Sequence, residues 1–317
     1  MLAVRSVTKS FGSIPAVRGV SFDIAPGQVV GLLGPNGAGK TTTIRMITGM
    51  FPPDSGTISV DGADTIEDSI KARRAIGYLP ESAPAYAEMS VESLVDYRAT
   101  LFGMPRRERR ERVERVIERC WLSDVRKRRV GHLSKGYRQR AGLAAAIVHE
   151  PKVLILDEPS NGLDPTQIAE MRRLIRELGR DRAVLVSSHI LPEVEKTCDR
   201  AIIVIRGMVR ADGTPESLTS DGHGFKLMAS HPSAGTNDLR ELLTPLCGAT
   251  ARVTVESSGD GIRATAAGPG IDSGTLDAIG KQLFARGWTV RELTPSRRTL
   301  EAVFLSLLED TSAGRDA

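Results

Sequence analysis

Four short runs of nearly uninterrupted apolar residues punctuate the first two-thirds of the chain: "VVGLLG" (29–34), "VLILD" (153–157), "AVLVSS" (183–188) and "AIIVI" (201–205). Runs of this length without polar alternation predict strands buried on both faces, the pattern of a parallel sheet covered by helices. Between residues 90 and 150 the period lengthens. In "MPRRERRERVERVIERCW", Val113, Val116, Ile117 and Cys120 recur at helical spacing and predict a narrow core-facing stripe. A second helix is expected from Tyr137 to His149. After Asp212 the Gly-, Ser- and Pro-rich stretches "GTPESLTSDGHGF" and "ASHPSAGTND" read as linker and turn. From Phe225 the order is strand, helix (Leu239, Leu242, Leu243, Leu246), strand (Arg252–Glu256), turn (Ser257–Gly261) and strand (Ile262–Ala267). A helix (Leu276, Ile279, Leu283), a strand (Trp288–Leu293) and a last amphipathic helix (Leu300, Val303, Phe304, Leu307, Leu308) complete it. That βαββαβ order predicts a ferredoxin-like arrangement.

The expected organisation is an α/β domain over residues 1–220 with a helical subdomain at about 90–150. A small α+β domain follows over 221–310, then a disordered tail at 311–317. At 317 residues each domain is large enough to bury its own core. No apolar run approaches the roughly 18 residues of a membrane-spanning helix. The N-terminal stretch "MLAVRSVTKSFG" does not read as a secretory leader. Any work at a membrane therefore calls for a second chain to span it. Cys120, Cys198 and Cys247 are scattered, which fits a reducing compartment and neither a disulfide framework nor a zinc site. A net charge of +4 is compatible with an anionic partner without requiring one. The arginines between Arg106 and Arg119 alternate with Glu108, Glu111, Glu114 and Glu118. Pairs such as Glu108/Arg112 and Glu111/Arg115 make an ion-paired, solvated helix face the preferred reading over a nucleic-acid surface. No aromatic residues are interleaved to stack on bases.

"GPNGAGKT" (34–41) fits G-x-x-x-x-G-K-[ST] between an expected strand and the helix "TTTIRMITGM". Such a loop, from Gly34 through Pro35, Asn36, Gly37, Ala38 and Gly39, wraps backbone N–H groups around the β- and γ-phosphates of a nucleotide. Lys40 adds positive charge, Thr41 offers a hydroxyl to Mg²⁺, and Thr42 continues the turn. "VLILDEP" supplies two acids at a strand end. Asp157 is placed to hold Mg²⁺, and Glu158 to polarise a water for in-line attack on the γ-phosphate. His189, following "AVLVSS", reaches the same sheet edge and is expected to contact the γ-phosphate. A second helix start, "LSKGYRQR" (133–140), puts Ser134 and Gly136 where free amides and the helix dipole favour an anion. One nucleotide does not need two such ends in one chain.

Together, "GPNGAGKT", "LSKGYRQR", "VLILDEP", "SNGLDP" and the histidine of "SSHI" resemble, in order and spacing, the nucleotide-binding subunits of ATP-binding cassette (ABC) transporters. The resemblance covers residues 2 to about 215. It implies a P-loop NTPase fold of ABC ATPase type, hydrolysis of ATP with Mg²⁺, and a head-to-tail dimer with itself or a paralogous subunit. In that dimer Ser134 and Gly136 would cap the γ-phosphate held at the partner's Lys40, which answers the puzzle of the second helix end. By the same resemblance Phe11 would stack on adenine and Asp164 would cross the dimer interface. Glu81 in "GYLPES" would be a further Mg²⁺ ligand where the family usually has glutamine. Lys135 and Tyr137 replace a glycine and a glutamine of the usual signature. "GYLPE", "LSKGYRQR" and the closing "LEAVFLSLLE" are most similar to the ABC-2 branch. Within it they resemble ATPase subunits associated with gliding motility and with copper-site maturation.

The resemblance implies a peripheral protein on the cytoplasmic face of the inner membrane that drives a separate transmembrane permease, as an exporter, with no nucleic-acid partner. The alternatives are an importer subunit, an ATP-gated regulator of a membrane complex, and a soluble ABC ATPase acting on a nucleic-acid or ribosomal partner. For the C-terminal domain two readings stand: a regulatory module, or an appendage that stabilises packing or the dimer.

Overall fold

The computed structural model describes residues 1–82, 86–219, 223–259, 261–268, 271–297 and 299–313. The chain divides into two compact units, Met1–Thr214 and Pro215–Ala317. The division falls ahead of the boundary expected at residue 220, because Pro215–Thr219 forms a short helix that packs against the last helix of the chain. The expected turn at 257–261 and linker at 213–225 both include residues outside the described set.

The first unit opens with an antiparallel layer. Strands β1 (Leu2–Phe11) and β2 (Ile14–Ile24) pair as a hairpin, and β4 (Ser55–Val60) and β5 (Ala63–Asp64) extend the sheet in the order β2-β1-β4-β5. The apolar runs form the second sheet. Strands β3 (Val29–Leu33), β7 (Val153–Asp157) and β8 (Ala183–Ser188) are buried at every position, and β9 (Arg200–Ile205) at all but its first. With β6 (Ile76–Leu79) and an antiparallel edge strand, β10 (Met208–Gly213), they give the order β10-β9-β3-β8-β7-β6. Full burial follows from the parallel pairing of β3 with β8 and β9, and of β7 with β8, which leaves both faces to be covered.

Helix α1 (Lys40–Ile47) follows β3 directly, and the short α2 (Ser69–Arg74) precedes β6. The helical subdomain comprises α3 (Val91–Leu101), α4 (Arg106–Arg119) and α5 (Lys135–Ile147). On α4 the buried residues are Val113, Val116 and Ile117, with Cys120 buried at its end, as the spacing predicts. Its arginines are less purely solvated than expected. Arg112 lies 3.7 Å from Glu108 but bonds more closely to Glu150. Arg109 reaches Asp96 at 2.6 Å and Arg119 reaches Glu177 at 3.0 Å, so α4 is tied to its neighbours. Helix α5 starts two residues earlier than Tyr137 and ends at Ile147, because Ser134 caps it by accepting from the Tyr137 N–H. Helix α6 (Pro165–Gly179) buries Met171, Leu174, Ile175 and Leu178, and α7 (Leu191–Thr197) leads into β9.

In the second unit, α8 (Pro215–Thr219) leads into β11 (His223–Ser230), α9 (Thr236–Cys247), β12 (Arg252–Ser258), β13 (Gly261–Ala267), α10 (Ser273–Ala285) and β14 (Thr289–Arg297). All pairings are antiparallel in the order β12-β13-β11-β14, the ferredoxin-like topology. Phe225, Leu227 and Ala229 on one sheet face meet Leu239, Leu242 and Leu243 of α9 and Ile279 and Leu283 of α10. Helix α11 (Leu300–Ala313) closes the unit. It takes in residues 311–313, which the sequence assigned to a disordered tail; the rest of that segment, 314–317, lies outside the described residues.

Candidate active site

The carboxyl ends of β3, β7 and β8 lie side by side, with Leu33 opposite Ser188 and Asp157 opposite Ser187. Three loops therefore emerge at one edge of the sheet, where open α/β sheets bind ligands. A cleft of about 470 Å³ opens there. Its lining comes from Phe11 and Ala16, the loop and helix start from Asn36 to Thr42, and Glu81, Glu158, Asn161 and His189.

The loop can take its shape because of its glycines. Gly37 has φ +78° and Gly39 φ +101°, and a Cβ on Gly39 would lie 2.5 Å from the Ala16 carbonyl oxygen. Lys40 is 7% exposed and donates to the carbonyls of Gly34 at 2.7 Å and Pro35 at 3.3 Å. Gly34 and Pro35 thus hold the lysine rather than line the cleft. Burial pulls the Lys40 ammonium below its ordinary value, against the pull of Glu158, Asp157 and Glu81. The first-turn amides of α1 have no intrahelical acceptor and are available to an anion, which the helix dipole also favours.

The two acids are set by one hydroxyl. Ser187 Oγ, fully buried on β8, donates to Asp157 Oδ1 at 2.6 Å and accepts from the Glu158 N–H at 2.9 Å. Glu158 has φ +49°, a left-handed conformation uncommon for a side-chain-bearing residue. It is held by that bond and a second N–H contact of 3.2 Å to the Ser187 carbonyl. Its Oε2 lies 2.8 Å from His189 Nδ1, so carboxylate and imidazole face the cleft as a pair. Asp157 is buried beneath the cleft. Burial raises its carboxyl above the ordinary range, the Ser187 bond opposes this, and Glu158 and Glu81 add to it.

Glu81 lines the cleft, its Oε1 accepting from Asn161 Nδ2 at 3.0 Å. Phe11 is half-exposed at the cleft, edge-on to Phe51 at 5.7 Å, so it is not a core residue. Ser134, Gly136 and Asp164 do not line the cleft. Gly136 packs on the Gln167 side chain, and Asp164 caps α6 through the Gln167 N–H at 2.9 Å. Two residues missing from the sequence reading stand out: Asn161, which lines the cleft, and Ser187. The only signal for either was its place beside a motif, in "SNGLDP" and "SSHI".

Among the described residues no cluster of three or more His, Cys, Asp or Glu is arranged to hold a metal by itself. Thr41 and Asp157, with Glu81 nearby, offer hard oxygen donors only. This suits Mg²⁺, which takes one or two protein ligands together with phosphate oxygens. The donor set fits the ion.

The ABC transporter family pattern matches residues 17–161. The daunorubicin resistance ATP-binding protein DrrA3 of Streptomyces coeruleorubidus is 33% identical over 318 residues, 100% of this chain and 98% of the relative. The ABC transporter ATP-binding protein NatA of Bacillus subtilis (strain 168) is 41% identical over 207 residues, 65% of this chain and 84% of the relative. The solved structure of an ATP-binding subunit of an ABC transporter superposes with a TM-score of 0.64 at 31% identity, covering 69% of this chain and 92% of that one. The P-loop cleft, the paired acids at the end of β7 and these relatives agree: the chain belongs to the ABC transporter family as an ATP-binding subunit, an ATPase that takes ATP with Mg²⁺.

Proposed function

We propose that this chain powers an ABC-2-type exporter, as one half of a head-to-tail ATPase dimer docked on a separate membrane permease. The observation that carries the reading is the separation of two anion-facing helix ends. The start of α1 lines the cleft, whereas the start of α5, with Ser134 and Gly136, does not. A second copy turned head to tail would bring that end, and Asp164, onto the neighbour's nucleotide. Met1–Thr214 then serves as the ATPase domain and Pro215–Ala317 as an accessory domain.

In this reading Lys40 and the amides of residues 37–41 stabilise the charge of the transferring phosphoryl group. Glu158 accepts a proton from the attacking water, and His189 fixes the carboxylate's orientation through their 2.8 Å contact. Bound Mg²⁺ would neutralise phosphate charge, with Thr41 and Asp157 as its protein ligands and Glu81 as a further oxygen donor. Phe11 would stack on the adenine. Among the described residues no helix is long and apolar enough to cross a membrane. This reading assigns the spanning part to the permease and this chain to the cytoplasmic face of the inner membrane. The end-to-end relative named for daunorubicin resistance supports export of a drug-like compound. The motif resemblance to gliding-motility and copper-maturation subunits concerns the same ABC-2 branch, in which the permease selects the cargo.

The test is Glu158→Gln. The variant should bind ATP, sediment as a dimer only with ATP present, and lose nearly all turnover. Captured from detergent-solubilised cells with ATP and read by mass spectrometry, it should bring down a multi-span membrane protein in near-equal amount. Capture of ribosomal or DNA-processing proteins alone would refute the transporter reading.

A further inference from the structure

Glu81 and Asn161 lie on different elements and meet in the cleft. Glu81 follows β6, and Asn161 sits in the turn between β7 and α6. The backbone on each side of their contact is fixed. Gln139, 2% exposed on α5, donates from Nε2 to the Glu81 carbonyl at 3.2 Å. The Asn161 N–H donates to the Glu158 carbonyl at 3.1 Å, and the Leu163 N–H to that of Ser160 at 3.3 Å. The contact itself is between the two side chains. The Glu81 carboxylate accepts from Asn161 Nδ2 at 3.0 Å, while Lys40, Thr41 and Glu158 line the same cleft. An anionic carboxylate is both a good acceptor for an amide and a good ligand for a hard cation.

Resting on the proposed Mg²⁺ placement, we infer that Asn161 is a positioning residue that restrains the Glu81 carboxylate, so that Mg²⁺ arriving with nucleotide competes with the Asn161–Glu81 hydrogen bond. Loading the cleft then releases Asn161, three residues ahead of Asp164. A glutamine at position 81 would accept the same bond without the charge and would draw the cation less strongly.

The test is calorimetric titration of the full chain with a non-hydrolysable ATP analogue, once with Mg²⁺ and once with EDTA. Asn161→Ala should raise the ratio of affinity with Mg²⁺ to affinity in EDTA about five-fold, the effect of removing one competing hydrogen bond of ordinary net strength. Glu81→Ala should lower that ratio, and adding Asn161→Ala to it should not change the ratio further. Thermal unfolding checks that each variant is folded. An Asn161→Ala effect that is equal with and without Mg²⁺, or that persists in the Glu81→Ala background, would overturn the inference. If Glu81→Ala keeps the full Mg²⁺ dependence, the metal-facing placement of Glu81 fails. If that dependence is lost while Asn161→Ala matches the wild type, the role of Asn161 alone fails.

Discussion

Ser187→Ala is the most informative single change at the sheet edge, because one hydroxyl serves both acids. Its removal takes a 2.6 Å bond from Asp157 and a 2.9 Å acceptor from the Glu158 N–H, in a position with no access to water. The Glu158 N–H keeps its 3.2 Å contact to the Ser187 carbonyl, so the larger loss falls on the carboxylate. A hydrogen bond to a charged group contributes about 1.5–3 kcal/mol, so the variant should lose about 2 kcal/mol. For a unit of this size that lowers Tm by roughly 4–8 °C. Glu158 also loses one of the two contacts that keep it in its left-handed conformation. ATP turnover should therefore fall roughly 10- to 100-fold, with a smaller change in nucleotide affinity.

The pH dependence separates this account from simple loss of packing. Burial holds the Asp157 carboxyl above its ordinary 3.8. Its contribution to stability is thus fully present below 3.8 and is lost as pH rises through the folded value. The Ser187 bond opposes that shift by favouring the charged form. The variant's deficit should be largest at neutral pH and shrink as the pH falls toward 3.8. Denaturant unfolding of both proteins between pH 7 and 4.5 gives the deficit directly. A deficit that stays constant or grows on acidification would refute the reasoning. Ser188→Ala is the comparison, since Ser188 Oγ accepts only the neutral Ile190 N–H at 3.0 Å; its loss should be about 1 kcal/mol at every pH.

Two further outcomes follow from the cleft and the helical subdomain. Gly39→Ala should abolish detectable ATP binding by calorimetry and lower stability by about 2 kcal/mol, because an L-residue is strained at φ +101° and its Cβ meets the Ala16 carbonyl. His149 stacks on Phe102 at 3.6 Å and bonds to the Ile76 carbonyl at 3.0 Å, and burial lowers its pKa from 6.5 to about 4. The neutral imidazole is the folded form, so its contribution is complete above pH 6.5 and lost as pH falls toward 4. By linkage the wild type should lose about 3 kcal/mol over that range through this group, and His149→Leu should remove that part of the acid dependence in denaturant unfolding.

The strands and the phosphate loop were legible because each depends on local chemistry. Uninterrupted apolar runs can only be buried on both faces, and the loop's glycines are needed for its own backbone. The ferredoxin-like order of the second unit was legible for the same reason: alternating and helical periods survive in short segments. What escaped depends on partners distant in sequence. Arg112 has an acid four residues away, yet its closer bond is to Glu150; Arg119 finds Glu177 on another helix. Ser187 is an ordinary serine until β7 and β8 align it with Asp157. Asn161 has no periodicity to mark it, and its contact with Glu81 spans the insertion of the whole helical subdomain. The antiparallel pairing of β1 with both β2 and β4 likewise joins segments that the sequence shows only as mixed polar and apolar.

The two departures from the usual signature are absorbed within the chain, which bears on what the start of α5 can do. The Lys135 ammonium group lies over Gly162, in the turn before α6, where a Cβ would meet it. The Tyr137 hydroxyl donates to Asp124 at 2.9 Å, and the Arg140 guanidinium lies 4.4 Å from its ring. Arg140 also reaches Glu170 on α6 at 3.5 Å, and Gly136 packs on Gln167. The start of α5 and the start of α6 are therefore one packed block, with Ser134 capping the first and Asp164 the second. A partner's nucleotide that contacts Ser134 would meet a surface whose position is fixed relative to Asp164. The replaced glycine and glutamine leave the start of α5 both its capping serine and its close-packed glycine. Tyr137 adds a bond to Asp124 and a ring beside Arg140, which itself ties α5 to Glu170 of α6, so the substituted start of α5 keeps its packing on the start of α6.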